Sequence, residues 1–295
     1  MEENNFLEQF QEYMIVAGKS THTVRAYSQD LQAFVRWFEQ AIGDPFTPRA
    51  VDPGDLHDYK NYLVRQGLRP ATINRRLKAL VTFFRWAKRR QLVTDSPFEI
   101  VEAIFVKEQK DTSPHWLERQ EQRAIVRAAR ESGSKRDHAI IQTLMGTGLR
   151  LSELAALMVD DLDLSERRGR LKVRIGKGGK ARTIPLDGKT RQALESYLAK
   201  RVEDGSKQLF LGQRGPLNQA GINYLVSKYA YQAKLENCTP HTLRHTFAKN
   251  LVDAGVPLDQ VASLLGHESL DTTRIYTRPS QRDLERAVRK AAGEL

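Results

Sequence analysis

The sequence predicts a mainly α-helical protein with a small antiparallel β-hairpin, arranged as two domains. Three observations carry that expectation. Phe6–Arg90 holds four apolar stripes at helical spacing, separated by proline and glycine. The apolar period changes to two over Arg170–Leu186, where a glycine-rich turn joins two alternating runs. Between these regions Lys107–Pro114, KEQKDTSP, is polar, charged and closed by proline, as a linker would be. The domains are therefore expected at 1–106 and 115–295, joined by 107–114.

Phe6, Phe10, Tyr13 and Met14 give the first helix its stripe. Ser20 or Thr21 can cap the second, which carries Val24, Tyr27, Leu31, Phe34, Val35 and Phe38 to about Ala41. Pro45 and Pro48 break it. Asp52-Pro53 starts a third helix bearing Leu56, Tyr59, Tyr62 and Leu63, and Gly67 ends it. Pro70 opens a fourth, with Ile73, Leu77, Leu80 and Phe84 inward. After the linker, Leu117–Arg130 and Asp137–Met145 read as helices, and Ser152–Met158 as a third. The strands Arg170–Ile175 and Ala181–Leu186 flank the turn Gly176-Lys177-Gly178-Gly179-Lys180, where glycine permits a left-handed backbone. Helices follow at about Gly188–Arg201 and Ala220–Lys234, with an extended piece at Gln208–Leu211.

Composition narrows the function. The formal net charge is +11, which favours a polyanionic partner. Its distribution is sharper than its total: Met1–Asp58 holds ten acidic and four basic residues, whereas Lys60–Thr94 holds ten basic and no acidic ones. On the fourth helix Arg75, Arg76, Lys78, Arg85 and Lys88 lie outward, followed by Arg89 and Arg90, so an apolar stripe is backed by a face of one sign. Such a face suits a helix tracking phosphates. Arg69 and Lys180 join this basic set as DNA-contacting candidates. No apolar run is long enough for a bilayer span, and the acidic N-terminus is unlike a secretory signal, so a soluble cytoplasmic protein is expected. The single cysteine, Cys238, excludes a disulfide framework within the chain and a Cys-rich zinc site; a buried packing role suits it.

The chemistry-bearing residues gather near the C-terminus. Thr239 caps and Pro240 opens a helix that projects His241 and Arg244, three apart, from one face. A short helix from about Leu258 to Leu265 ends at Gly266, and His267 follows directly. Ser269–Thr277 then carries Tyr276. The ordered set His241-Thr-Leu-Arg244-His245, Leu265-Gly266-His267 and Thr272-Thr-Arg-Ile-Tyr276-Thr resembles the tyrosine recombinase, or phage integrase, family. That resemblance calls for an upstream arginine and lysine. Arg150 in TGLRLSEL and Lys177 in IGKGGKARTIPL match them in order. The likeness covers Leu117 to about Thr277. More loosely, THTVRAYSQDLQAFVRWF and ATINRRLKALVTFFRWA resemble the family's N-terminal core-binding domain.

The groups themselves suit phosphodiester chemistry. Displacement at phosphorus builds charge on the non-bridging oxygens, and the guanidiniums of Arg150 and Arg244 can hold them with forked, charge-assisted bonds. His241 can take the tyrosine proton or donate to the phosphate, and His267 can donate a further hydrogen bond. Tyrosine is a poor nucleophile at neutral pH, and nearby arginines favour its phenolate. The resemblance implies that Tyr276 forms a 3′-phosphotyrosyl link, that Lys177 is the general acid for the 5′ oxygen, and that no cofactor is used. It also implies two domains clamping double-stranded DNA, and a homo-tetramer on two duplexes, alone or with a paralogous recombinase. The size and GTGLRLSEL look Xer-like, which points to dimer resolution of chromosomes or plasmids. Arg278-Pro279 departs from the commonest Xer wording and keeps a mobile-element integrase or resolvase open. A type IB topoisomerase, a non-catalytic DNA-binding protein and a metal enzyme using His241 and His245 are the rivals. The last lacks the glutamate of HExxH, because position 242 is threonine.

Overall fold

The computed structural model describes residues 6–99, 104–107, 114–165, 167–174, 181–202, 205–267, 270–277 and 281–293. The chain divides into two compact units, Met1–Lys110 and Asp111–Leu295, each with its own core.

In the first unit α1 (Phe6–Val16), α2 (Thr21–Ile42), α3 (Pro53–Arg65) and α4 (Pro70–Arg89) form a bundle. The Ser20 hydroxyl accepts from the Thr23 N–H at 3.2 Å and starts α2. Asp52 and Asp55 exchange side-chain and backbone bonds at the start of α3, each 2.9 Å. The core is aromatic: Phe34 meets Tyr59 edge-on at 4.9 Å, and Phe10 meets Phe83 at 5.4 Å. The basic face of α4 is less bare than its own sequence implies. Asp30, buried on α2, pairs with Arg75 and lies 3.8 Å from Arg76. Lys88 binds Asp95 at 3.1 Å and Glu99 at 2.8 Å. Arg69, Lys78, Arg85, Arg89 and Arg90 are exposed.

The second unit opens with α5 (Arg119–Glu131), α6 (Lys135–Thr147) and α7 (Leu151–Ala155). The last is shorter than the helix expected over Ser152–Met158. The backbone from Leu157 is drawn into pairing with the 207–209 segment: Leu209 donates to the Leu157 carbonyl at 2.7 Å and Val159 to that of Lys207 at 2.9 Å. A strand that periodicity did not suggest, β1 (Leu162–Leu164), pairs antiparallel with β2 (Gly169–Val173), which pairs with β3 (Arg182–Pro185). The register sets Leu171 against Ile184 and Val173 against Arg182. Lys177 and Lys180, in the turn between β2 and β3, lie outside the described residues.

Then come α8 (Gly188–Leu198), a two-residue pair β4 (Leu211–Gly212) and β5 (Gly215–Pro216), and α9 (Gln219–Gln232). The C-terminal run is α10 (Pro240–Asp253), α11 (Leu258–Leu265), α12 (Asp271–Arg274), a 3₁₀ turn at Ile275–Thr277 and α13 (Gln281–Ala291). Ala248, Val261, Leu265 and Tyr276 make a small separate core there. Gly148, which ends α6, has φ of 60°, and a Cβ on it would collide with the Phe247 ring and lie 3.0 Å from Leu265. Gly148→Ala is expected to destabilise the protein by about 2 kcal/mol, read as a lower unfolding midpoint. An unchanged midpoint would refute the close-approach argument.

Candidate active site

Three arginines converge on the carboxyl end of α11. A helix leaves its last carbonyls unbonded and carries partial negative charge there, so cations are favoured. Here three successive carbonyls are taken by three different elements. Arg182 of β3 donates Nε to the Leu264 oxygen at 2.8 Å. Arg244 of α10 donates Nη2 to that of Leu265 at 2.8 Å. Arg150, just before α7, donates Nη2 to that of Gly266 at 2.8 Å. Gly266 turns left-handed at φ 65°, and a Cβ there would meet Arg182 Nη1 at 2.8 Å.

Glu153 ties two of the three together. Its carboxylate, 4% exposed, accepts Arg150 Nη1 at 2.9 Å and both Arg182 Nη atoms at 2.9 and 2.8 Å. It also accepts the Arg150 N–H at 2.9 Å, which fixes the start of α7. Burial by itself would raise its pKa, but the hydrogen bonds from Arg182 and Arg150 hold it below the usual carboxylate value. Arg244 is 3% exposed, and its Nη1 donates to the Gly148 oxygen at 2.6 Å. Burial, with Arg150 adding repulsion, pulls its pKa down to about 10. Three guanidiniums facing one carboxylate leave an excess of positive charge, which an anion would relieve. A cleft of about 370 Å³ beside them is lined by Arg150, Ser152, Gln219, Asn223, His241 and Arg244.

The histidines divide in a way the motif does not reveal. His241 is exposed in the first turn of α10 and lines the cleft. His245, one turn on, places Nδ1 2.7 Å from the Tyr276 hydroxyl. Of the two options expected of His241, taking the tyrosine proton or donating to a phosphate, its place on the cleft wall suits the second, and the Tyr276 hydroxyl is bonded to His245 instead. The two rings meet edge-on at 4.3 Å. His267 places Nδ1 2.8 Å from the Thr273 hydroxyl. Tyr276 is 2% exposed, and burial pushes its pKa up to about 12 while Arg244 pulls it back. Among the described residues no three His, Cys, Asp or Glu side chains gather as a metal site.

Burial lowers the pKa of His245 and of His267 from 6.5 to about 4, with neighbouring cations adding to it. Below 6.5 the unfolded chain binds protons that the folded chain refuses until about 4. Stability is therefore full above 6.5 and drains as pH falls toward 4, at no more than about 1.4 kcal/mol per pH unit for each ring. Thermal unfolding followed across that range should show the slope, and His267→Gln should flatten it. A midpoint independent of pH there would contradict these environments.

Of the residues singled out in the sequence, Arg150, His241 and Arg244 share the cleft, and Tyr276 and His267 pack one layer behind, on His245 and Thr273. Glu153 and Arg182 were not anticipated, and His245 was named only within the motif and as a rival metal ligand. Glu153 had a local signal, because it stands three residues after Arg150 in a capping pattern. His245 had one too, at i+4 from His241. Arg182 had none; only the β2–β3 register brings it to α7. Tyr224 and Tyr231 are exposed, whereas Tyr229 is buried and donates to Asp137 at 2.8 Å. Cys238 is buried, and burial lifts its thiol pKa to about 12.

Comparison with known proteins gives a consistent result. Residues 115–282 match the Phage integrase family, and residues 7–91 match the Phage integrase N-terminal SAM-like domain. The chain is 33% identical over 294 residues to tyrosine recombinase XerC of Pediococcus pentosaceus, covering 95% of each. It is 30% identical to tyrosine recombinase XerA of Thermococcus kodakarensis, over 98% of this chain and 96% of that one. Among solved structures, XerH site-specific recombinase bound to difH substrate in a pre-cleavage complex superposes with a TM-score of 0.71 and 26% identity, over 90% of this chain and 78% of that one.

Proposed function

The chain belongs to the phage integrase family, as a Xer-like tyrosine site-specific recombinase, and on that premise we propose that Tyr276 is its nucleophile and Arg150 and Arg244 its phosphate clamp. The observation that carries this reading is the fixing of both guanidiniums on one helix end beside an open cleft, with the Tyr276 hydroxyl already bonded to a base.

The phenol gives its proton to His245 Nδ1 as its oxygen attacks the scissile phosphorus. His245 is neutral at physiological pH and so able to accept it. Arg150 and Arg244 hold the non-bridging oxygens, and His241, on the cleft wall, donates to one of them. The bond from phosphorus to the 5′ oxygen breaks, and that oxygen takes a proton from Lys177. Attack by a 5′ hydroxyl reverses the step, so bond energy is conserved and neither a nucleotide nor a metal enters. In this structure the phenol is enclosed by Ala248, Val261 and Leu265. Cleavage therefore needs the Ile275–Thr277 turn to shift toward the cleft while the hydroxyl keeps its bond to His245.

The DNA partner is double-stranded and carries defined sites, and the working assembly is a tetramer, of this chain or with a paralogue. Leu284 and Val288, one turn apart on α13, are exposed and support docking of that helix on a neighbouring subunit. The role we favour is resolution of chromosome or plasmid dimers in the nucleoid, because the relatives bear Xer names along nearly their whole length. Arg278-Pro279 favours the second reading, integration or resolution for a mobile element. Mapping the covalent protein–DNA adducts across the host genome tests both. A single chromosomal locus supports the first, adducts at the ends of a mobile element support the second, and their complete absence refutes the mechanism.

A further inference from the structure

Three helices of the catalytic unit turn polar stripes toward one groove. On α5, Arg123, Arg127 and Arg130 are spaced four and three apart, which places them on one face. Lys135 of α6 and Lys189 of α8 complete the rim of a cavity of about 480 Å³, within the size range of small-molecule sites. Where helices meet, facing stripes are ordinarily apolar; this junction presents five cations and no lining carboxylate. Of the carboxylates on these helices, Glu131 is exposed outside the groove lining and three others are engaged elsewhere. Glu121 accepts the Glu118 N–H at 2.6 Å, Asp137 binds Arg136 at 2.8 Å and Tyr229, and Glu195 lies 3.6 Å from Arg191. Among the described residues the five rim cations make no ion pair or side-chain hydrogen bond.

The groove floor agrees. Gln142, on α6, is buried, and its amide has no side-chain partner among the described residues. His138 is half-buried on the same helix, and burial together with the charges of Arg130 and Lys135 lowers its pKa. A concentrated positive field with hydrogen-bond donors beneath it is the environment that phosphate oxygens complement.

We propose that the α5–α6–α8 groove is a second anion site, binding the phosphate groups of a phosphodiester or polyphosphorylated ligand. It shares no lining residue with the strand-cutting cleft. The forks of Arg123 and Arg127 grip the oxygens from one wall, Lys189 neutralises charge from the other, and His138 and Gln142 bond from the floor.

The test uses the whole chain and needs no strand cleavage, so it stands apart from the recombination reading. The His138 imidazole resonance is followed by NMR while inorganic pyrophosphate is added at constant ionic strength, with chloride as the control. Saturable movement of that resonance is expected, and the double variant Arg123→Gln, Arg127→Gln should weaken the apparent Kd by at least about tenfold. These two side chains are exposed and lie outside the catalytic cleft, so the fold is not at risk. No movement beyond the chloride control, or equal binding by the double variant, overturns the proposal. A second arm identifies the source of the phosphate. If it is duplex DNA reaching beyond the core site, the double variant lowers the slope of log affinity against log salt by about two. An unchanged slope with pyrophosphate binding intact assigns the groove to a free phosphorylated compound.

Discussion

Tyr276→Phe will leave the protein folded and bound to DNA while removing every covalent adduct. The substitution takes away one oxygen, and with it the 2.7 Å bond to His245. The ring stays in its pocket against Ala248, Val261 and Leu265, so the packing term is unchanged. His245 Nδ1 loses its partner, at a cost of about 1 kcal/mol. That is small against the stability of a domain of this size. On the proposed mechanism the chemical effect is complete, because the deleted oxygen is the atom that bonds to phosphorus. A nicked duplex, from which the short product strand diffuses away, should trap adduct with the wild type and none with the variant. Affinity measured by mobility shift should agree within about twofold, since a single uncharged oxygen contributes nothing to the salt-dependent term. Adduct in the variant at the wild-type rate would mean that the nucleophile lies elsewhere.

The second large effect is expected at a residue that touches no substrate. Glu153→Gln keeps the shape and removes the charge that Arg150 and Arg182 share. One amide oxygen can still accept, but the amide N–H groups now face guanidinium donors. Breaking a buried charge network from one side costs about 3–5 kcal/mol, or roughly 10 °C in the unfolding midpoint for a unit this large. Strand cleavage should fall further than the instability explains, by about a hundredfold below the unfolding temperature, because Arg150 loses the contact that aims it. Arg182→Lys should reproduce much of the cleavage loss. An ammonium cannot grip both Glu153 oxygens and the Leu264 carbonyl at once. DNA affinity should remain close to wild type in both variants. A Glu153→Gln protein that cuts at the normal rate would show that Arg150 is aimed by something else.

These two cases mark where the sequence was legible. Tyr276, Arg150, His241 and Arg244 stand in short ordered motifs, and the motifs survive translation into structure because each is local. Helix starts at Ser20, Asp52 and Thr239 were readable for the same reason: a cap and its partner lie within three residues. The basic face of α4 was readable in its composition and misread in its bareness, since Asp30, which neutralises part of it, stands on another helix. β1 was missed because three residues are too few to establish a period.

The sequence by itself determined the helical character and the family, pointed to a division into two units, and singled out most of the groups proposed for the chemistry. Each depends on spacing along one strand of chain, where geometry follows from the 3.6 and 2.0 periods. Tertiary structure alone decided which base meets the phenol, and what holds the arginines. His245 rather than His241 reaches Tyr276 because the Ile275–Thr277 turn packs against the middle of α10, not its first turn. Arg150, Arg182 and Arg244 come from positions up to 94 residues apart, and meet only because the unbonded carbonyls at the end of α11 accept from all three. Hydrogen bonds of that kind obey direction and distance in space, and no pattern in a single stretch of sequence encodes them.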